Sequence, residues 1–94
     1  MKIRWLRTAL RNLEDEAAYI AKDGPAAAAR TVDRIRRAID HLSGHPEIGR
    51  SGRVAGTREL VVPGTPYVIP YRVRGDQVEI LRVFHGARRW PPRI

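Results

Sequence analysis

The sequence predicts an α+β fold in which a short N-terminal strand and a two-helix antiparallel hairpin pack on a small antiparallel sheet. Three observations predict it. Residues 2–5 alternate charged and apolar side chains, as a short strand does. Residues 6–42 instead carry apolar side chains at helical spacing. From residue 58 onward, short apolar stretches alternate with glycines and prolines, which is typical of strands joined by turns.

Two helices are predicted in the first half of the chain. Asp23 and Gly24 end the first helix, with glycine suited to the left-handed position after a helix. Pro25 opens the second helix at a first-turn position, and Gly44 and Pro46 end it. The helices therefore form an antiparallel hairpin. The apolar stripes are Leu6, Leu10, Leu13, Ala17 and Ile20 in the first helix, and Ala28, Val32, Ile35, Ile39 and Leu42 in the second.

Three strands are predicted in the second half, over residues 58–62, 67–73 and 78–85. A basic, glycine-containing loop precedes them, and residues 63–66 form a turn. A tight turn at residues 75–76 joins the last two strands into a hairpin. Two residues break the pattern of this hairpin. Pro70 cannot donate to a ladder and indicates an edge-like stretch or a bulge, and Arg82 falls on the apolar face if alternation is strict.

The turn sets the hairpin register, in which Arg72 lies opposite Glu79 and Val68 opposite Val83. The face with Arg72, Glu79 and His85 should look outward, because the other face is much more apolar. That apolar face should bind the helices through Tyr67, Ile69, Tyr71, Val73, Val78, Ile80 and Phe84.

Length and charge bound the function. The 94 residues allow one domain, covering residues 1–94. There are 18 Lys and Arg against 10 Asp and Glu, which gives a formal net charge of +8, and only Lys2 and Lys22 are lysines. Arginine binds phosphates and carboxylates bidentately. The positive field therefore favours nucleic acid, an acidic protein or an anionic membrane as the partner.

Several classes of site are excluded. The chain has no cysteine, so disulfides, thiol catalysis and cysteine zinc sites are ruled out. The glycines do not match a P-loop, and the acidic run at residues 14–16 points in different directions on a helix. We expect neither a cofactor nor a metal. Without an apolar signal core or a run of about 20 apolar residues, we expect a cytoplasmic protein that does not enter membranes.

A candidate catalytic cluster follows the last strand. His85, Arg88 and Arg89 are close in sequence, and Arg72 and Arg58 could approach them from neighbouring strands. A histidine transfers protons near neutral pH, and arginines stabilise phosphate charge, so this set suits RNA cleavage. The alternative is structural: His85 caps the strand, and the arginines are solvated or pair with carboxylates.

Several motifs in this order resemble the ParE/RelE superfamily of toxins from bacterial type II toxin–antitoxin modules, over nearly the whole chain. The residues that carry the resemblance are Ala9 and Leu13, Pro46-Glu47-Ile48-Gly49-Arg50, Arg58-Glu59-Leu60, Tyr71-Arg72-Val73 and Val78-Glu79-Ile80-Leu81-Arg82-Val83-Phe84-His85.

The resemblance implies a toxin held inactive in a complex with a cognate antitoxin, whose acidic, partly disordered segment wraps the basic surface and folds as it binds. It also implies one of two mechanisms. ParE-like members inhibit DNA gyrase and block replication, and the segments Pro46 to Gly49 and Arg82 to His85 look closer to these. RelE-like members are metal-independent, ribosome-dependent endonucleases that cut mRNA. In that case His85 would transfer protons and Arg58, Arg72 and Arg88 would contact phosphate. A nucleic-acid-binding domain without toxicity is the third hypothesis.

Overall fold

The computed structural model describes residues 1–88 and 90, in which two helices pack on a six-stranded sheet. The predicted order of strand, helix, helix and sheet is confirmed. The strands lie in the order β1-β5-β4-β3-β2, and β6 also pairs with β4. The elements are β1 (Lys2–Trp5), α1 (Arg7–Ala21), α2 (Pro25–His41), β2 (Arg50–Ser51), β3 (Arg58–Val61), β4 (Tyr67–Arg74), β5 (Gln77–Ile80) and β6 (Phe84–His85).

The strands that follow the helices pair antiparallel, as predicted, and the N-terminal strand extends the sheet in parallel, so that the sheet is mixed. β1 pairs with β5 in parallel, whereas β2, β3, β4 and β5 pair with one another antiparallel. The turns between β2 and β5 set the direction of β5, and β1 lies beside it running the same way. Trp5 of β1 lies opposite Ile80 of β5, and the amide of Leu6 donates to the Ile80 carbonyl at 3.1 Å.

The helical hairpin covers one face of the sheet. Gly24 joins the helices with a φ of +149°, a conformation that L side chains rarely adopt. Leu10 is the exception among the predicted stripes, because it remains 41% exposed. The core lies between helices and sheet, and its buried members include Ala9, Leu13, Ile35, Ile39, Leu42, Leu60, Ile69, Tyr71, Val78, Ile80 and Val83.

The ladder between β4 and the last part of the chain changes register by one residue. Tyr71 lies opposite Ile80, but Val68 lies opposite Phe84. Two residues of β4 therefore face three residues of the other strand, which is a β-bulge. The predicted strand 78–85 is accordingly two strands separated by residues 81–83.

Two neighbours stabilise the bulge. Pro70 has no amide to donate, and its carbonyl accepts a hydrogen bond from the amide of Leu81 at 3.0 Å. The Val83 amide donates a hydrogen bond to the side-chain oxygen of Asn12 in α1 at 3.2 Å. The bulge that Pro70 indicated is confirmed, although Pro70 is fully buried in a central strand.

The register change exchanges the faces of the last two strand residues. His85 lies opposite Tyr67, whose hydroxyl reaches α1, and Phe84 lies opposite Val68. The predictions that His85 looks outward and that Phe84 packs under the helices are therefore wrong. Arg72 and Glu79 lie before the bulge, and their predicted pairing is confirmed. Neither helix of the described residues is long and apolar enough to cross a membrane.

Candidate functional site

The sheet face opposite the helices carries a cluster of ion pairs, which we call the arginine face. Strand alternation places Arg4, Glu59, Arg72 and Glu79 there, because their sequence neighbours Ile3, Trp5, Leu60, Tyr71 and Val78 pack into the core. Arg50 and Arg53 join them through ion pairs with Glu59. The face consists of Arg4, Arg50, Arg53, Arg72 and Arg74 around Glu59 and Glu79.

Glu79 is the centre of one half of this face. Arg72 donates from Nε to Glu79 Oε1 at 2.6 Å, while Arg4 and Arg74 approach the carboxylate to 3.5 and 3.8 Å. The hydrogen bond from Arg72 holds the pKa of Glu79 below its usual value, and the charges of all three arginines add to this. The Glu79 side chain is 5% exposed, whereas that of Arg74 is 67% exposed. The carboxylate is therefore covered, and the positive groups face solvent.

Glu59 organises the other half. Arg50 donates to Glu59 Oε1 from Nε at 3.2 Å and from Nη2 at 3.1 Å. The backbone amide of Arg53 donates to Glu59 Oε2 at 2.9 Å. The Arg53 guanidinium lies 3.6 Å from the centre of the Trp90 ring. The centres of the Trp90 and Phe84 rings are 4.7 Å apart. Both rings thus pack beside the ion pairs.

His85 lies at the end of the sheet, on the helix side. Its Nδ1 accepts a hydrogen bond from the amide of Ala87 at 3.2 Å, and its carbonyl accepts from the amide of Arg88 at 3.1 Å. The centres of the His85 and Tyr67 rings are 5.7 Å apart, and the rings are nearly perpendicular. One ring nitrogen is therefore used to hold the turn after β6, as the structural alternative for His85 requires.

Glu16 of α1 binds two partners beside His85. It accepts a hydrogen bond from the Tyr67 hydroxyl at 2.9 Å and one from Arg88 Nη1 at 2.6 Å. Burial and the hydrogen bond to Glu16 raise the pKa of Tyr67 to about 12. The Glu16 carboxylate also raises the pKa of Arg88. Arg88 is thus paired and ties the C-terminal segment to α1.

Arg58 has a structural role at the opposite end of the sheet. Its Nη1 donates to the carbonyls of Glu47 and Gly49 at 3.0 and 2.9 Å. Tyr71 completes this contact, because its hydroxyl donates to the Pro46 carbonyl and accepts from the Gly49 amide, both at 2.8 Å. Burial raises the pKa of Tyr71. Together, Arg58 and Tyr71 anchor the loop that leads into β2.

The predicted cluster is therefore divided among three places. His85 and Arg88 lie together beside α1, Arg72 lies on the opposite face of the sheet, and Arg58 is bound to a loop. Arg89 is outside the described residues. Sequence reasoning missed Glu59 and Glu79 as organising residues and Arg4, Arg50 and Arg53 as their partners. Alternation along the strands could have found Glu59, Glu79 and Arg4, whereas Arg50 lies in a strand of only two residues and Arg53 lies in the loop after it, where alternation gives no signal.

A second surface is a groove of about 660 Å³ between α2 and the edge of β3. Within the described residues, β2 pairs only with Arg58 and Glu59, so Leu60 and Val61 have a strand neighbour on one side only. Val61 and Ile48 are large apolar side chains in this groove, 48% and 47% exposed. Its basic rim is formed by Arg34, Arg37, His41 and Arg50.

Known proteins resemble this chain in sequence and fold. The Y4kP protein of Sinorhizobium fredii is 53% identical, with 96% of this chain and 93% of Y4kP covered. The toxin RelE2 of Caulobacter vibrioides is 41% identical, over 93% of this chain and 97% of RelE2.

A solved chain from the chromosomal ParDE toxin–antitoxin system of P. aeruginosa matches with a TM-score of 0.84 at 28% identity. The match covers 90% of this chain and 95% of that one. The family model of the ParE toxin of the type II toxin–antitoxin system parDE matches residues 3–90. The chain therefore belongs to the ParE family of the ParE/RelE superfamily, and it is a toxin of a type II toxin–antitoxin module.

Proposed function

We propose that this toxin acts on DNA gyrase and blocks replication, and that it is neutralised by direct binding of a cognate antitoxin. The observation that carries the choice of gyrase is the separation of His85 from the arginine face by the sheet. A toxin that acts by binding its target needs no proton-transfer group beside its basic surface.

RNA cleavage makes a stricter demand on geometry. The general base must lie within hydrogen-bond reach of the proton that it removes, beside groups that stabilise the phosphate. His85 is on the helix side, whereas Arg72 and its partner Glu79 are on the other face. The hydroxyls of Tyr67 and Tyr71 are bound to Glu16 and to the Pro46 carbonyl. In the described residues, the arginine face thus holds arginines and paired carboxylates.

The groove beside α2 supports the antitoxin part of the proposal. Exposed Val61 and Ile48 provide an apolar floor, and the unpaired edge of β3 can accept an added strand. The rim arginines complement an acidic segment. An antitoxin segment that alternates apolar and acidic residues therefore fits this groove, and its neutralised complex is an oligomer of toxin and antitoxin.

The test is a gyrase supercoiling assay with the purified chain in the absence of antitoxin. We expect lost supercoiling or accumulated cleaved DNA, and we expect the activity to return when antitoxin is added. The variant His85→Ala should inhibit gyrase as well as the parent chain does. Unchanged supercoiling at toxin concentrations in excess of gyrase would contradict the proposal.

A RelE-like endoribonuclease is the second candidate, and one observation favours it. His85 and Arg88 lie side by side at the end of the sheet, where neither is fully buried. Ribosome-dependent cuts within mRNA codons in a cell-free translation assay would establish this function instead, provided that the variant His85→Ala loses them. The same variant should still bind the antitoxin. Both targets lie in the bacterial cytoplasm, where the proposal places the toxin.

A further inference from the structure

The arginine face combines covered carboxylates with outward guanidiniums. The side chains of Glu59 and Glu79 are 2% and 5% exposed, whereas those of Arg4, Arg50 and Arg53 are 50–61% exposed. Each carboxylate binds its arginines from below and orients them without presenting negative charge to solvent. Guanidiniums that are already paired with a carboxylate lose less side-chain entropy on binding an anion than free arginines lose.

This face adjoins the groove at Arg50 and Glu59, which belong to both, but the rest of its chemistry differs. Stable protein interfaces have an apolar centre with aromatic or aliphatic anchors. The groove offers exposed anchors in Val61 and Ile48, whereas the apolar residues of the arginine face, Val68 and Pro70, are buried and its outward side chains are guanidiniums. Interfaces with nucleic acid are instead polar and strongly positive, and most of their hydrogen bonds go to phosphate. The arginine face therefore suits a phosphodiester backbone better than a protein surface.

The aromatic residues favour a double strand over a single strand. Single-stranded nucleic acid is bound largely by stacking its bases on free aromatic rings. Trp90 already has the Arg53 guanidinium over its ring at 3.6 Å and the Phe84 ring at 4.7 Å. Tyr71 is buried in the core. A backbone whose bases are already stacked in a duplex requires no free ring.

We infer that the arginine face binds the backbone of duplex DNA, and that Glu59 and Glu79 are positioning residues for the phosphate-binding arginines. Only the choice of DNA over duplex RNA rests on the proposed function, since gyrase acts on duplex DNA. The contacts are to phosphate, so binding should be independent of base sequence and sensitive to salt. A dissociation constant of roughly 10⁻⁶ to 10⁻⁴ M at physiological salt is expected for such binding.

The test measures fluorescence anisotropy of a labelled DNA duplex with the purified chain, at several salt concentrations and without gyrase. The variant carries Arg4→Gln and Arg74→Gln, which leave the Arg72–Glu79 hydrogen bond in place. The matched control carries Arg30→Gln and Arg36→Gln, two exposed arginines of α2, and has the same net charge. The variant should bind about tenfold or more weakly than the control, with a salt slope lower by about 2.

Equal weakening in both double variants would overturn the inference, because a general positive field would then suffice. Tighter binding of single-stranded RNA or DNA than of the duplex would overturn it as well. A preference for duplex RNA over duplex DNA would overturn the choice of DNA.

Glu79→Gln tests the positioning role by the sign of its effect. The substitution raises the net charge, so simple electrostatics predicts tighter DNA binding, whereas loss of positioning predicts weaker binding. We expect several-fold weaker binding, and tighter binding would refute the positioning role. Glu59→Gln repeats the test on the other half of the face, and circular dichroism identifies a variant that does not fold. If Glu59→Gln and Glu79→Gln both unfold, the comparison of the two arginine double variants still tests whether this face binds DNA.

The outcomes separate this inference from the proposed function. Gyrase inhibition without duplex binding would refute the DNA-binding face and leave the gyrase proposal standing. Duplex binding without any effect on supercoiling would refute the gyrase proposal and leave the DNA-binding face standing.

Discussion

Arg72 Nε lies 2.6 Å from Glu79 Oε1 across the β4–β5 hairpin, on the sheet face opposite His85. The two residues precede the β-bulge, and His85 follows it. The one extra residue in the bulge therefore decides that the histidine and the arginine do not share a site. It also leaves Arg72 and Glu79 as part of a face made of ion pairs.

Glu79→Gln should reduce stability in a pH-dependent way. The hydrogen bond from Arg72 lowers the pKa of Glu79 below 4.5, its ordinary value. The ionised carboxylate therefore contributes stability above the unfolded-state pKa, and this contribution is lost as the pH falls through the lower folded-state pKa. We expect the difference in unfolding free energy between the parent chain and Glu79→Gln to shrink below about pH 4.5. Urea unfolding at a series of pH values measures it, and a difference independent of pH would count against this assignment.

Tyr67 should produce a loss of stability at alkaline pH. Burial and the hydrogen bond to Glu16 raise its pKa from 10.0 to about 12. Between these values the unfolded chain loses the phenol proton and the folded chain keeps it, so stability falls as the pH rises. In Tyr67→Phe this part of the loss should be absent, whereas Tyr19→Phe, at an exposed residue, should retain it. Unfolding free energies measured above pH 10 test this, and equal losses in both variants would contradict it.

Gly49→Ala should destabilise the fold because there is no space for a methyl group. A Cβ at Gly49 would lie 2.5 Å from the Tyr71 hydroxyl oxygen and 2.6 Å from its Cε1. Both residues are buried, so the loop or the ring must shift at a cost of about 1–3 kcal/mol. Gly44→Ala is the control, since nothing lies within 4 Å of its Cβ position. Urea denaturation compares the two, and equal midpoints would show that the loop adapts freely.

Val61→Asp should weaken antitoxin binding if the groove is the antitoxin site. The new carboxylate would place a negative charge on the apolar floor, against an acidic segment, and we expect about tenfold weaker binding or more. The control is Val73→Asp. Val73 is 44% exposed, close to the 48% of Val61, and it does not line the groove. Isothermal titration calorimetry with the cognate antitoxin measures both. Similar affinities for the two variants would place the antitoxin elsewhere.

Local pattern was sufficient for most elements. Helical spacing and the prolines at 25 and 46 predicted both helices, and alternation with the turn at residues 75–76 predicted the register between Arg72 and Glu79. These features depend on contacts between residues close in sequence. Leu10 was placed in the core by the same rule and is exposed, because helical spacing does not say how wide the covered stripe is.

The sequence by itself determined the α+β class, the helical hairpin, the positive charge and the family resemblance. Each of these depends only on composition, on the periodicity of apolar residues or on short motifs. Only the tertiary structure decided which functional side chains meet. The bulge depends on Pro70 in a neighbouring strand and on Asn12 in α1, and the pairing of Arg88 depends on Glu16, far away along the chain. In a strand, one inserted residue reverses the face of every residue after it. Local alternation could not reveal such contacts, and they place His85 beside Tyr67 instead of Arg72.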